Sequence, residues 1–401
     1  MATSIIITLC VLVLIAYVFD ITANKTKIPS VVLLLVLGFI VKNIASSFGL
    51  TIPDLSPILP ILGTVGLILI VLEGALELQI NTEKLPLVLK SSLVALIPIL
   101  LLSFGIAQYF YYFHQLPFNI AIINAIPFAI ISSSIAIPSA RNLFVGDREF
   151  VTYESSLSDI IGVIFFNFFA ANSEIASHSF GIFVLQVIIM LIISFVSTLL
   201  LAWFLNIIKH HIKFIPIIIL VVLIYNIAKI YHLPALIFIL IFGLFLSNID
   251  ELKHIEFFKK FPTVNFNNDV HKFREITTEL AFLIRSLFFI LFGFLIDATE
   301  VISTDTILIA LIFTIVIFVM RYFILFIFKI STNPLVYIAP RGLITILLFL
   351  SIPVSMQTPL LDKSLITQVI VLTALLMMFG LISYKKPVEA VGDHKEQASN
   401  Y

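Results

Sequence analysis

The chain is poor in charge and nearly free of cysteine. Only 11% of its 401 residues are Asp, Glu, Lys or Arg, against about 25% in soluble domains. That is too little charge to cover a soluble surface. The hydrophobic share is 61% and the mean hydropathy is +1.17. A length that would otherwise suggest two or three soluble domains is therefore read as one membrane domain. The single cysteine, Cys10, excludes an intramolecular disulfide; in its apolar run it is expected to pack. The 23 basic and 23 acidic residues cancel, so nothing points to nucleic acid. There is no H-E-x-x-H, the helical zinc signature of a metalloprotease. No other catalytic constellation is found, so neither an enzyme activity nor a cofactor is expected. The N-terminal stretch MATSIIITLCVLVLIAYVFD has no basic n-region and no small-residue cleavage site. It is read as a retained helix rather than a signal peptide.

What the chain has instead is long apolar runs. A spanning helix needs roughly 20 apolar residues. Division at charge clusters and prolines predicts thirteen spans, near 4–19, 28–45, 58–79, 86–113, 119–140, 151–172, 180–208, 212–230, 234–250, 276–297, 304–330, 333–355 and 361–384. With the N-terminus outside, seventeen of the 23 Lys and Arg residues fall in inner loops and the tail. Lys42, Lys229 and Lys363 fall outside, and Arg285, Arg321 and Arg341 lie within or at the ends of spans. Cytoplasmic loops carry the excess of basic residues, so the expected topology is N-out and C-in. The longest hydrophilic stretch, about 250–275, is then an inner loop, and residues 386–401 form a short cytoplasmic tail. Neither has room for a regulatory domain.

Two stretches repeat. Residues 28–44 read IPSVVLLLVLGFIVKNI and residues 233–249 read LPALIFILIFGLFLSNI. Pro29, Gly38 and Asn43 recur at one offset as Pro234, Gly243 and Asn248. These lie in the second and ninth spans, so the two copies run oppositely through the membrane. GALEL at 74–78 likewise resembles GFLID at 293–297. Inverted repeats are a mark of secondary transporters, whose sites lie where corresponding broken helices meet near the midplane. The fifth span carries PFAIISSSIAIP, and its counterpart, the twelfth, carries NPLVYIAPRGLITILLFLSIP. Both are expected to break. The predicted fold is an all-α polytopic membrane protein, a single domain over 1–385. It comprises inverted six-helix repeats at about 4–172 and 212–384, joined by a linker helix at about 180–208.

The buried charges locate a site. A charge at the bilayer centre costs roughly 2.5–3.5 kcal/mol on insertion scales, so it is rare without a task. Asp159 lies about 12 Å into the sixth span, at 1.5 Å per residue. Ser155 precedes it by four residues, on the same helix face. A carboxylate and a hydroxyl are hard oxygen ligands of the kind small cations take. Desolvation disfavours an ionised carboxylate that has no counter-charge, so a proton and a cation compete for Asp159. Glu154 and Arg341 are read as a buried structural pair, since pairing relieves a buried charge. Glu73 in the third span is read as a ligand, a gate residue or an ion-pair partner, and Glu77 as solvated. Arg321 and Arg285 are left open between facing the bundle and snorkelling inward. The histidines fall mostly in loops.

Together these segments resemble the monovalent cation:proton antiporters over about residues 5–385. The carriers are IPSVVLLLVLGFIV, GLILIVLEGALEL, SSSIAIPSARNL followed by YESSLSDIIGV, LIRSLFFILFGFLID and APRGLITILLFLSIP. The resemblance implies that Asp159 binds ion and proton, that Ser155 is a hydroxyl ligand and that Ser133 and Ser134 lie at the helix crossover. It implies that Glu73 lines the cavity, that Glu154 and Arg341 pair, and that Arg321 falls where some members carry a basic modulator, a role also open to Arg285. It further implies a core domain moving against a dimerisation domain in a homodimer, in a bacterial inner membrane. Ser158-Asp159 stands where many members have Asn-Asp or Asp-Asp. Ser133-Ser134 stands where sodium-type members often have Thr-Asp, and is closer to Kef-type potassium systems. Exchange of Na⁺ or K⁺ for H⁺ is therefore expected, one for one because the motif has a single acid. The competing expectations are a sodium-coupled symporter of an organic anion, for which no basic cluster is evident, and a non-transporting membrane sensor, for which the loops are short.

Overall fold

The computed structural model describes residues 2–26, 28–48, 54–78, 84–172, 177–208, 210, 212–231, 233–251, 264–297, 303–358 and 363–384. The predicted tail at 386–401 lies outside them. In chain order the helices are α1 (Ala2–Thr26), α2 (Ser30–Ser47), α3 (Ile58–Glu77), α4 (Leu85–His114), α5 (Phe118–Ala129), α6 (Ser133–Ala140), α7 (Val145–Ala171) and α8 (Ser177–Ile207). These are followed by α9 (Phe214–Ile230), α10 (Leu236–Ser247), α11 (Val264–Leu295), α12 (Thr304–Ile327), α13 (Leu343–Leu350) and α14 (Lys363–Ser383). Ten stretches, with α5 and α6 counted together, are long and apolar enough to cross a membrane; α9 and α10 are shorter apolar helices. With the broken segment around α13, these make the thirteen expected units of an integral membrane protein. Large apolar side chains cover the outside: Leu14, Ile192, Ile219, Ile315 and Phe326 are all exposed. Such a surface suits hydrocarbon rather than water. Cys10 is also exposed on α1, which corrects the expectation that it packs.

Three boundaries differ most from the sequence reading: α1 runs on to Thr26 rather than ending near 19, and two helices begin early. The eleventh helix begins at Val264, not near 276, so half of the expected inner loop is helical. Its first turns carry Asn267, Asp269, Lys272 and Arg274, which hide it from a hydropathy count. Yet Phe266, Phe273 and Thr277 are fully buried at helical spacing, so one apolar stripe holds these turns to the protein. Helix α7 likewise begins at Val145 rather than near 151, through the hydrophilic turn Gly146–Glu149.

The helices sort into two bundles. One contains α1, α2, α3, α8, α9, α10 and α11; the other contains α4 to α7 and α12 to α14. Each bundle takes helices from both halves of the chain. Helix α3 is the main bridge, touching α6, α7 and α13 of the second bundle. An ion pair also spans the bundles, Arg141 on Asp20 at 3.3 Å.

The repeat is visible in the contacts. Helix α2 packs on α11, and its repeat partner α10 packs on α3. A Cβ at Gly38 would lie 2.0 Å from the Ile290 carbonyl oxygen and 2.7 Å from Phe294 N. One at Gly243 would lie 2.5 Å from the Ala75 Cβ, the position matching Phe294 in the GALEL–GFLID alignment. Both asparagines donate to the carbonyl four residues back, Asn43 to Phe39 at 2.9 Å and Asn248 to Leu244 at 2.8 Å. Lys42 pairs with Asp297, and its counterpart Ser247 donates to the carbonyl of Leu78, the counterpart of Asp297.

Candidate functional site

The site forms where two breaks meet. The first is residues 130–132, between α5 and α6; the second is the extended run 338–342 before α13. A backbone bond joins them, Ser132 N–H to the Pro340 carbonyl at 3.0 Å. A break leaves the helix ends without intrahelical partners, so this crossing must satisfy them otherwise.

Arg341 and Asp159 do so, one at each polarity. The last carbonyls of α5 carry the negative end of its dipole. Arg341, 1% exposed, lies against them. Its Nε donates to the Phe128 carbonyl at 2.6 Å and its Nη2 to that of Ala129 at 3.4 Å, while Nη1 reaches Ala339 at 3.0 Å. Thr345 Oγ1 caps the Pro127 carbonyl at 3.0 Å. The positive end of α6 meets Asp159. The Ser133 N–H donates to Asp159 Oδ2 at 3.3 Å, and the Ser133 hydroxyl donates to the same oxygen. Asp159 thus caps α6 from another helix, where a carboxylate is favoured.

The second oxygen of that carboxylate is buried with no hydrogen-bond partner among the described residues. So is the hydroxyl of Ser156. Buried polar atoms are rarely left unpaired, and an exception calls for an explanation such as an ion.

The other expected site residues divide. Ser158 Oγ accepts from the Ile131 N–H at 3.0 Å, which ties α7 to the first break. Ser134 Oγ shares a hydrogen bond of 2.8 Å with Ser132 Oγ. Ser155 is buried, but its hydroxyl donates to the Val151 carbonyl at 2.7 Å, which leaves its lone pairs to offer. Glu154 is not paired with Arg341, contrary to the sequence reading. It pairs with Arg321, two parallel bonds of 2.6 and 2.9 Å, while Arg321 Nε donates to the Leu335 carbonyl at 2.7 Å. Arg321 therefore faces the bundle, its guanidinium held by Glu154 and the Leu335 carbonyl. The reason for the mispairing is physical: carbonyl ends left by a helix break take a cation as well as a carboxylate does, and α5 claims Arg341. Glu77 is 3.7 Å from Arg274.

A cavity of about 420 Å³ leads to Ser133. Glu73, Thr152 and Arg285 line it, and Lys84, Arg148, Glu149 and Arg274 stand among its outer residues. Arg285 Nη1 lies 3.9 Å from Glu73 Oε2.

The family model described as sodium/hydrogen exchanger, transmembrane, matches residues 10–384. The chain belongs to the sodium/hydrogen exchanger family. Among solved structures it is similar to that of the sodium proton antiporter MjNhaP1 from Methanocaldococcus jannaschii at pH 8, with 20% identity and a TM-score of 0.68. That match covers 95% of this chain and 98% of the other. An electron-microscopy map of the same antiporter matches at 20% identity, a TM-score of 0.64 and 95% coverage of each chain. At that identity the likeness is one of fold. No curated protein sequence matches the chain. Residues of this exchanger that the sequence reading missed are Ser132, Ser156, Thr345 and Thr373, the last accepting the Arg341 N–H at 3.1 Å. Ser132 was within reach, as the first serine of the broken SSS; Thr345 and Thr373 meet the crossing only through tertiary folding, and Ser156 lies against Gly74 of α3.

Proposed function

We propose that this exchanger moves a monovalent cation, Na⁺ or K⁺, against H⁺ by alternating access, proton and cation competing for Asp159. The observation that carries the proposal is the half-satisfied carboxylate at the crossing, with one oxygen held by Ser133 and α6 and the other without a partner among the described residues. A proton or a cation completes it, and either one removes the uncompensated buried charge. Ser155, Ser158, Ser133, Ser134 and Glu73 are the oxygen groups around the path. Arg321 is committed to Glu154 and Arg341 to carbonyls, which supports a one-for-one exchange with no titrating base beside Asp159. In this reading the cavity opens toward the cytoplasm, the side assigned to Lys84, Arg148 and Arg274 by their excess there. The ion is cargo, and no cofactor enters the cycle.

The test is proton flux in proteoliposomes carrying a pH dye. A pH gradient is set, and NaCl, KCl, LiCl or choline chloride is added, with Asp159→Asn beside the wild type. The expected outcome is dissipation by particular cations, lost in the variant. Folded wild-type protein that answers to no cation rejects antiport and points to an organic-anion symporter.

A further inference from the structure

Three arginines are buried in the membrane region, and two are held by several hydrogen bonds each. Arg321 makes three hydrogen bonds and Arg341 makes three through its side chain. Arg285 differs. Its side chain is 7% exposed, yet among the described residues the guanidinium has no hydrogen-bond partner. Its one counter-charge is Glu73, 13% exposed and 3.9 Å away. Both face the cavity that reaches Ser133. Both sit on the first bundle, on α11 and α3, across from Asp159 on α7. A clamp would be bidentate and short, like Glu154–Arg321; this pair is single and loose. A guanidinium in a cation path lowers the local cation concentration and takes the charge of a carboxylate a cation would otherwise use.

Resting on the antiport reading, we propose that Arg285 is a tethered competitor of the transported cation. It holds Glu73 while the cavity is empty and releases it when an ion enters, so it sets the concentration at which the exchanger loads. Apart from Arg148, the other charges around the cavity have partners of their own. Glu77 has Arg274 at 3.7 Å, Lys84 has Glu149 at 2.9 Å and Arg141 has Asp20 at 3.3 Å. Arg285 thus sets the apparent affinity; it does not bind the ion.

Half-saturating NaCl and KCl concentrations are measured by the pH-dye assay for wild type, Arg285→Gln, Glu73→Gln and the double variant. Coupling between two linked binding events commonly changes an affinity by about 5–150-fold. Arg285→Gln is expected to lower the half-saturating concentration at least about fivefold, and to lower it far less in the Glu73→Gln background. An unchanged or raised value, or the same fall without Glu73, overturns the proposal. If Arg285→Gln does not fold, Arg285→His is compared with wild type at each pH. Its value must drop below wild type at pH about 8.5, where imidazole is neutral, and match it near pH 5.5; parallel behaviour rejects the competitor role. If wild type carries no cation-driven flux, the antiport reading fails separately. The competitor is then read by the rise in melting temperature with NaCl or KCl over choline chloride, which must be larger in Arg285→Gln. No difference overturns it.

Discussion

Glu154 and Arg321 show what a buried charge requires. Each is nearly inaccessible, and each finds the other at 2.6 Å. Removing one partner of such a pair strands the other at a cost of about 3–5 kcal/mol, whereas replacing both by apolar groups of similar volume is far milder. Glu154→Gln and Arg321→Gln should each lower the melting temperature of the purified protein sharply, and Glu154→Leu with Arg321→Met should recover much of it. Single variants that melt like the wild type would reject the structural role. Ser133 acts differently: its hydroxyl holds one oxygen of Asp159. A hydrogen bond to a charged group contributes roughly 1.5–3 kcal/mol, so Ser133→Ala should weaken apparent cation affinity by about tenfold or more in the pH-dye assay, with little change in melting temperature. The acids and serines were readable from sequence because they stand out in apolar helices. The partner of Glu154 was not, because Arg321 and Arg341 are both buried basic residues, 167 and 187 positions away, and only folding chooses between them.

Helix pairing rests on close approach. At Gly38 any side chain would strike the backbone of α11, and at Gly293 a Cβ would lie 2.2 Å from the Leu35 carbonyl oxygen. Neither contact is with a flexible side-chain end, so the helices themselves must separate. Overpacking of this kind costs typically 1–3 kcal/mol. Gly38→Ala and Gly293→Ala should therefore both lower the melting temperature. Gly105→Ala, whose Cβ meets nothing within 4 Å, should leave it unchanged or raise it, since Ala is favoured over Gly in a helix by roughly 0.5–1 kcal/mol. Equal behaviour of all three would refute the close-approach account. The paired landmarks Gly38 and Gly243 revealed the repeat in the sequence, but not that α2 lies on α11. The early start of α11 escaped because its stripe is apolar every third or fourth residue while its mean is polar.

For the whole molecule, two bundles meet along α3 and at Asp20–Arg141. If transport moves one bundle against the other, joining these positions must stop it. In a Cys10→Ser background, Asp20→Cys with Arg141→Cys should lose flux when bridged by a short cleavable thiol crosslinker and regain it on reduction. Flux that persists through complete crosslinking would mean the bundles do not shift at this seam.

By itself the sequence determined the membrane class, the number of spanning units, the repeat, the two breaks and the acid at their crossing. Each of these is a local or periodic property: apolar run length, the spacing of Pro and Gly, a charge where charge is costly. The division into bundles, the choice of Arg321 for Glu154, the capping of α5 by Arg341 and the loose pairing of Glu73 with Arg285 were decided only by tertiary structure. They depend on which distant helix ends and side chains arrive together. In a low-dielectric interior every polar atom must take the partner that arrives, whatever its separation along the chain.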